Sequence, residues 1–256
     1  MLIYGVNPVL EALRAGRVKE LRVSDRTGGR VAELVKTAAQ EGIAVRRVAA
    51  GDLDRLARGG VHQSVVAELG EPANLDIGDL IAGAKGAPLV VVLDSIEDPH
   101  NVGAILRSVD AAGADGVIRQ SRRAAPLGGA AAKASAGAVA HVKIAEVVNI
   151  ARALEELKAA GVWTVGLTGD VQKPYDQVDL TLPTALVLGA EGSGLRRLVR
   201  ERCDWMVSIP LHGHVQSLNV SVAAGIALFE AVRQRSQVSQ VSRSPAPPSP
   251  GKHHKI

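Results

Sequence analysis

The chain has 256 residues, 46% hydrophobic and 22% charged, a globular composition with room for one large domain or two small ones. Lys plus Arg number 30 against 26 for Asp plus Glu, a formal charge of +4 that permits a polyanionic partner without demanding one. This composition excludes global disorder, the lack of long apolar runs excludes a membrane helix, and a single cysteine, Cys203, excludes a disulfide framework and a multi-thiolate zinc site.

The opening Met1-Leu2-Ile3-Tyr4-Gly5 lacks a basic leader before an apolar stretch, so the expected location is cytoplasmic, with no membrane partner. Asn7-Pro8 reads as a helix start, with Asn7 as cap; Val9, Leu10 and Leu13 follow at helical spacing and Gly16 closes the turn. A strand at 20–23, a helix at 31–39, a strand at 43–48, a short helix at 52–57 and a strand at 63–69 complete a small α/β unit, residues 1–70. Residues 71–87 are punctuated by Pro and Gly and read as a linker with one short helix.

Leu89-Val90-Val91-Val92-Leu93 is a continuous apolar run, as a strand buried on both faces of a parallel sheet requires. A helix at 102–112 carries the stripe Val102, Leu106, Val109 and Ala112. Strands at 116–118, 162–167, 185–188 and 206–209 alternate with helices at 151–160 and 220–235. This is an α/β pattern with a mostly parallel sheet, residues 88–235. The segment 236–256 is rich in Ser, Gln and Pro, basic and without acids, and is expected to be a disordered tail.

The usual signatures of nucleotide and hydrolase chemistry are missing: no G-x-G-x-x-G turn, no Walker loop and no G-x-S-x-G elbow. His212 and His214 stand close together but lack evident partner ligands, so a surface role outweighs a metal and no metal is expected. Aromatics make up only 2% of the chain, so any RNA would be held by Arg, Lys and backbone amides rather than by base stacking.

Three segments stand where strands meet helices. Asp94 to Arg107 joins the buried strand to a helix, with Asn101 at the expected helix start and Arg107 beside the apolar stripe; a cap plus a solvated arginine is the plain alternative. Leu188-Gly189-Ala190-Glu191-Gly192-Ser193-Gly194 places three glycines within six residues after a strand, so backbone must approach something closely or adopt positive φ. Glu191 there disfavours a phosphate and suits a neutral or cationic ligand. Ser217, Asn219 and Ser221 offer polar groups at the start of the last helix, where ordinary capping is again the plain alternative.

Together these segments resemble the SpoU (TrmH-type) branch of the SPOUT class of RNA ribose 2′-O-methyltransferases. The matching stretches are D-P-H-N-V-G-A-I-L-R (98–107), L-G-A-E-G-S-G-L (188–195) and I-P-L…S-L-N-V-S-V-A-A-G (209–225). The opening Y-G-V-N-P-V-L-E-A-L resembles the branch that modifies large-subunit rRNA guanosines, whose N-terminal domain is similar to an RNA-binding ribosomal protein. The chain departs from the family at Ser64, which stands where glycine usually follows His-Gln.

The resemblance implies a parallel α/β sheet closed by a deep trefoil knot, which no composition or periodicity could have foretold. It implies S-adenosyl-L-methionine as cofactor, bound through Leu188, Gly189, Gly192, Gly194, Ile209 and Leu218. Arg107 matches the catalytic arginine. Arginine is a poor general base because its guanidinium stays protonated in water, so Arg107 is either a base after a local shift or a cation steering the hydroxyl and its phosphate. Asn101 would position Arg107 or the ribose, and Glu191, Ser217 and Asn219 would shape the site. The sulfonium methyl is already activated, so no metal is required.

The family is dimeric, and Val222, Ile226, Phe229 and Val232 form a stripe that suits either a homodimer contact or the chain's own core. RNA contact is expected on residues 1–70, at Arg26, Arg30, Arg46, Arg47, Arg55 and Arg58, with a solvated basic face as the alternative. The implied activity is methylation of a guanosine ribose in 23S rRNA. The same chemistry on tRNA, or a catalytically silent RNA-binding ribosome assembly factor, are the alternatives; the N-terminal extension disfavours the first and the intact site residues the second.

Overall fold

The computed structural model describes residues 1–25, 28–70, 75–122 and 124–241. The first sheet is built from β1 (Leu2–Tyr4), β2 (Val18–Ser24), β3 (Ala44–Val48) and β4 (Val65–Leu69), with helices α1 (Val6–Arg14), α2 (Gly29–Gln40) and α3 (Ala50–Leu56). Its order is β1-β4-β2-β3; only β2 and β3 run parallel. The second sheet contains β5 (Leu89–Asp94), β6 (Gly116–Gln120), β7 (Ile144–Val147), β8 (Trp163–Leu167), β9 (Thr184–Gly189) and β10 (Trp205–Val207). Its order is β10-β8-β9-β5-β6-β7, and every neighbouring pair is parallel. Flanking it are α4 (Ile77–Ala82), α5 (Pro99–Ala112), α6 (Ala130–Ala134), α7 (Ile150–Ala159), α8 (Arg197–Arg202) and α9 (Val220–Val241).

All six residues of β5 are buried, as the two-sided apolar run requires. In α5 three of the four stripe residues, Val102, Leu106 and Val109, are buried together with Ile105, and Ala112 is partly buried; each large apolar side chain contributes roughly 1.5–3 kcal/mol on leaving water. Gly103 lets α6 approach α5, since a Cβ there would lie 2.5 Å from the Ala131 carbonyl oxygen. Residues 89, 90 and 91 of β5 pair with 184, 185 and 186 of β9, a register that brings Asp94 level with Gly189 at the carboxyl ends of both strands.

Several expectations change. Asn7 does not cap α1: the helix starts at Val6, whose N–H donates to Gln63 Oε1 at 2.9 Å, and Asn7 Oδ1 instead accepts Arg30 Nη2 at 2.9 Å. Within the expected linker 71–87, residues 71–74 lie outside the described residues, whereas α4 is docked, with Ile77 and Leu80 buried in the core of the large sheet. The expected tail from Ser236 begins as helix, because α9 continues to Val241; residues 242–256 lie outside the described residues. The short β1, β7, α6 and α8 went unread in the sequence, each too brief to show a period.

Ser64, the departure from the family's glycine, has φ +65°. A side chain in the left-handed region costs about 1–2 kcal/mol, partly offset by glycine's larger unfolded-state entropy. Ser64→Gly should therefore raise stability by about 0.5–1 kcal/mol in a denaturant titration, with an unchanged slope; a loss of stability would contradict the strain.

Candidate active site

Asp98, not Asn101, caps α5: its carboxylate accepts the His100 N–H at 2.9 Å, and Pro99 occupies the first helical position. Asn101 is thus inside the helix and buried at 6% exposure, where an amide needs a partner. Asn219 provides one, its Nδ2 donating to Asn101 Oδ1 at 2.9 Å. The same Nδ2 donates to Glu191 Oε1 at 2.6 Å. The other end of Asn219 caps α9: Oδ1 accepts the Ser221 N–H at 2.9 Å and the Ser221 hydroxyl at 2.6 Å. One side chain therefore starts a helix and joins three segments separated by up to 118 residues.

The glycine-rich turn closes on itself. Ala190 N–H donates to the Gly194 carbonyl at 3.1 Å and Gly194 N–H to the Ala190 carbonyl at 2.9 Å. Gly192 and Gly194 have φ of +79° and +65°, and a Cβ on Gly189 would lie 2.2 Å from the Gly194 carbonyl carbon. These glycines are required by the loop's own backbone, and the fold leaves Glu191 exposed at its tip.

The pattern of the SpoU rRNA Methylase family matches residues 88–229, and that of RNA 2'-O ribose methyltransferase substrate binding matches residues 2–75. The chain belongs to the SpoU rRNA methylase family. It is 44% identical to the 23S rRNA (guanosine-2'-O-)-methyltransferase RlmB of Pseudomonas syringae pv. tomato, over 91% of this chain and 96% of that protein. The SpoU methyltransferase AviRb of Streptomyces viridochromogenes, solved in complex with AdoMet, superposes with a TM-score of 0.77 at 30% identity, covering 93% of this chain and 91% of that one. The TrmH/SpoU tRNA modifying enzyme of A. aeolicus covers only 64% of this chain and 83% of its own, with a TM-score of 0.55 and 32% identity.

In this SpoU fold the expected residues are placed unevenly. Asn101, Glu191 and Asn219 meet. Leu188 is buried under the turn, and Ile209 and Leu218 are half-buried beside solvent. Ser217 is exposed and makes no hydrogen bond among the described residues. Arg107 is likewise exposed and unpaired among them, six residues and about 9 Å along α5 from Asn101. His212 and His214 are exposed, and no group of three or more His, Cys, Asp or Glu among the described residues could hold a metal ion.

The expected RNA arginines are partly engaged. Arg46 faces Glu20 at 3.4 Å, Arg55 pairs with Asp52 at 3.1 Å, and Arg47 donates to the Asp25 carbonyl at 3.0 Å. Exposed pairs of this kind contribute little and can open to a phosphate. Arg26 lies outside the described residues. Sequence reasoning passed over Asp94, Gln120 and Arg196, a polar group at the end of the turn, and the buried Arg119, whose Nη2 donates to the Ala125 carbonyl at 2.6 Å. An acid at the end of an otherwise apolar strand was the available signal. Burial lowers the Arg119 guanidinium's pKa from its ordinary value, partly opposed by Glu146 at 3.6 Å.

Proposed function

We propose that the chain transfers a methyl group from S-adenosylmethionine to the ribose 2′-hydroxyl of a guanosine in 23S rRNA. The observation that carries this reading is the junction of Asn101, Glu191 and Asn219 at the carboxyl ends of β5 and β9, where ligands of open α/β sheets gather. The hydrogen-bonded cluster holds one carboxylate and two amides and no lysine or arginine, which suits a cationic ligand better than a phosphate. Leu188, Ile209 and Leu218 would take its apolar parts, and backbone groups around Gly189, Gly192 and Gly194 its polar ones. The bound cofactor supplies a methyl activated as a sulfonium.

The chain's own groups provide alignment and proton handling. Asn219 fixes Glu191 and Asn101 relative to each other. Arg107, exposed and unpaired, is available to a ribose and its phosphate, as a cation that steers them or as the acceptor of the hydroxyl proton. Residues 1–70 are read as the RNA-binding domain and 88–235 as the catalytic domain, with a trefoil knot formed where the 190–196 turn and the 208–219 segment lie together. The location proposed is the cytoplasm; among the described residues no helix is long and apolar enough to cross a membrane.

An rRNA substrate is favoured over tRNA by the substrate-binding match in residues 2–75, a region for which the smaller tRNA enzyme's coverage leaves little room. Incubating the full chain with labelled cofactor and either unmodified large-subunit rRNA or tRNA tests this. Label in the rRNA alone is expected; label in tRNA alone would overturn the substrate, and label in neither the activity.

A homodimer is also proposed. In α9, Ala224, Ala227, Leu228 and Ala231 face the core, while Val222 and Phe229 are about half exposed. Of the expected stripe, Val222 and Phe229 thus point outward, available to a second copy, while Ile226 and Val232 are partly buried. Phe229→Glu should shift the mass measured by sedimentation from two chains to one; an unchanged mass would contradict this contact.

A further inference from the structure

Asp94 ends β5 and is fully buried. A carboxylate removed from water persists only when paired and hydrogen-bonded. Arg196 supplies the principal partners: its main-chain N–H donates to Oδ2 at 2.9 Å, its Nε donates to Oδ1 at 2.7 Å, and its Nη2 lies 2.6 Å from Oδ1. Ser95 Oγ adds a weaker contact to Oδ1 at 3.5 Å. On the other side, Asp94 is level with Gly189 across the β5–β9 ladder. One residue therefore holds the turn at both ends, 189 through its backbone and 196 through its carboxylate.

The surroundings support the same arrangement. Ser95 has φ +61°, a left-handed conformation that a non-glycine residue keeps only where its neighbours enforce it. Gln120 lies with its amide oxygen 3.1 Å from Arg196 Nη2 and 3.2 Å from Nη1, its other end 3.3 Å from Ser95 Oγ. Between the two held ends, the turn is bridged between Ala190 and Gly194, the Ser193 N–H donates to the Glu191 carbonyl at 3.0 Å, and Glu191 contacts Asn219.

We propose that Asp94 and Arg196 are positioning residues, a clasp that fixes the glycine-rich turn so that Glu191 meets Asn219 and the three site segments stay in register. A pair serving stability alone gains little over apolar residues of similar size. A fork that binds one carboxylate by backbone and guanidinium together fixes orientation as well as distance. The proposal rests on the methyltransferase reading for its catalytic consequence, while the clasp itself is tested without activity.

The test compares the full chain with Arg196→Lys, Arg196→Gln and the neutral double variant Asp94→Asn/Arg196→Gln, which keeps a measurement available if Arg196→Gln does not fold. Hydrogen exchange without ligand should become about tenfold or more faster in amides 190–195, while β5 and β9 stay protected. With cofactor and rRNA, kcat should fall about tenfold to a hundredfold with KM for RNA within about twofold, and Arg196→Lys should lie between. Unchanged exchange in the turn, or faster exchange spread evenly over the sheet, would overturn the clasp; unchanged kcat in Arg196→Gln would overturn its role in positioning. A wild-type chain that neither binds nor transfers would overturn the methyltransferase reading, and the exchange result would still decide the clasp.

Discussion

Arg107→Ala should lower the rate of methyl transfer about a hundredfold or more and leave both cofactor affinity and melting temperature near those of the unaltered chain. The separation follows from where the residue sits. Arg107 is exposed on α5 and contacts no charged partner among the described residues, so its removal breaks no ion pair. Alanine and arginine have nearly equal helix propensity, so α5 keeps its local preference. The residue is also absent from the junction joining Asn101, Glu191 and Asn219, which under the proposed function holds the cofactor, so cofactor affinity should not change. What is lost is the cation available to the ribose and its phosphate. Arg107→Lys keeps the charge and loses the planar fork. Substantial activity in that variant would identify steering by charge, and none would identify a role for the guanidinium itself. A melting temperature lowered by more than about 5 °C alongside the rate would contradict the account.

Asn219→Ala should have the opposite signature, losing stability and cofactor affinity together. The cap of α9 disappears, at about 1 kcal/mol. The buried Asn101 oxygen loses its donor, at about 1–3 kcal/mol. A total of about 2–4 kcal/mol corresponds to a fall in melting temperature of roughly 4–16 °C for a chain of this size. Asn219→Asp separates the two functions of the side chain. The new carboxylate still accepts the first amides of α9 and favours a helix N-terminus, so the cap is kept and the stability loss is limited to the missing donor of the buried Asn101 oxygen, about 1–3 kcal/mol. It cannot donate to Glu191, and two carboxylates would then face each other where the structure has a 2.6 Å hydrogen bond. Calorimetric titration should accordingly show cofactor affinity reduced at least about tenfold in Asn219→Asp, despite its retained fold. Equal affinity in that variant would remove the Glu191–Asn219 contact from the binding site.

Features encoded within a few residues could be read directly from the chain. The apolar run ending at Asp94 is a fully buried strand, and the stripe from Val102 to Val109 faces inward. Local reading failed where a distant group took over a local task. Asn7 looked like a cap, but Gln63, 57 residues from Val6, accepts the helix's first amide. Asn101 is a different case, a local misreading: Asp98 and Pro99, only two or three residues earlier, begin the helix and leave Asn101 buried in it. The glycines at 189, 192 and 194 signalled close approach, yet nothing local revealed that the backbone approached is their own.

The site itself depends on separations of 28 and 118 residues, and the pair of Asp94 and Arg196 on one of 102. No periodicity reports such contacts. The order and spacing of three motifs carried that information through resemblance, and the resemblance pointed to Asn101, Glu191 and Asn219 without Asp94 or Arg196. In α9 the two apolar faces compete. The structure turns the small residues Ala224, Ala227 and Ala231 inward with Leu228, which leaves Phe229 at the surface.

The most direct measurement is amide hydrogen exchange of the full chain with and without S-adenosylmethionine. Protection should appear at residues 188–194 and 209–219 together, the two segments that Asn219 and Glu191 bring into contact. Protection confined to residues 1–70, or none at all with saturating cofactor, would contradict it.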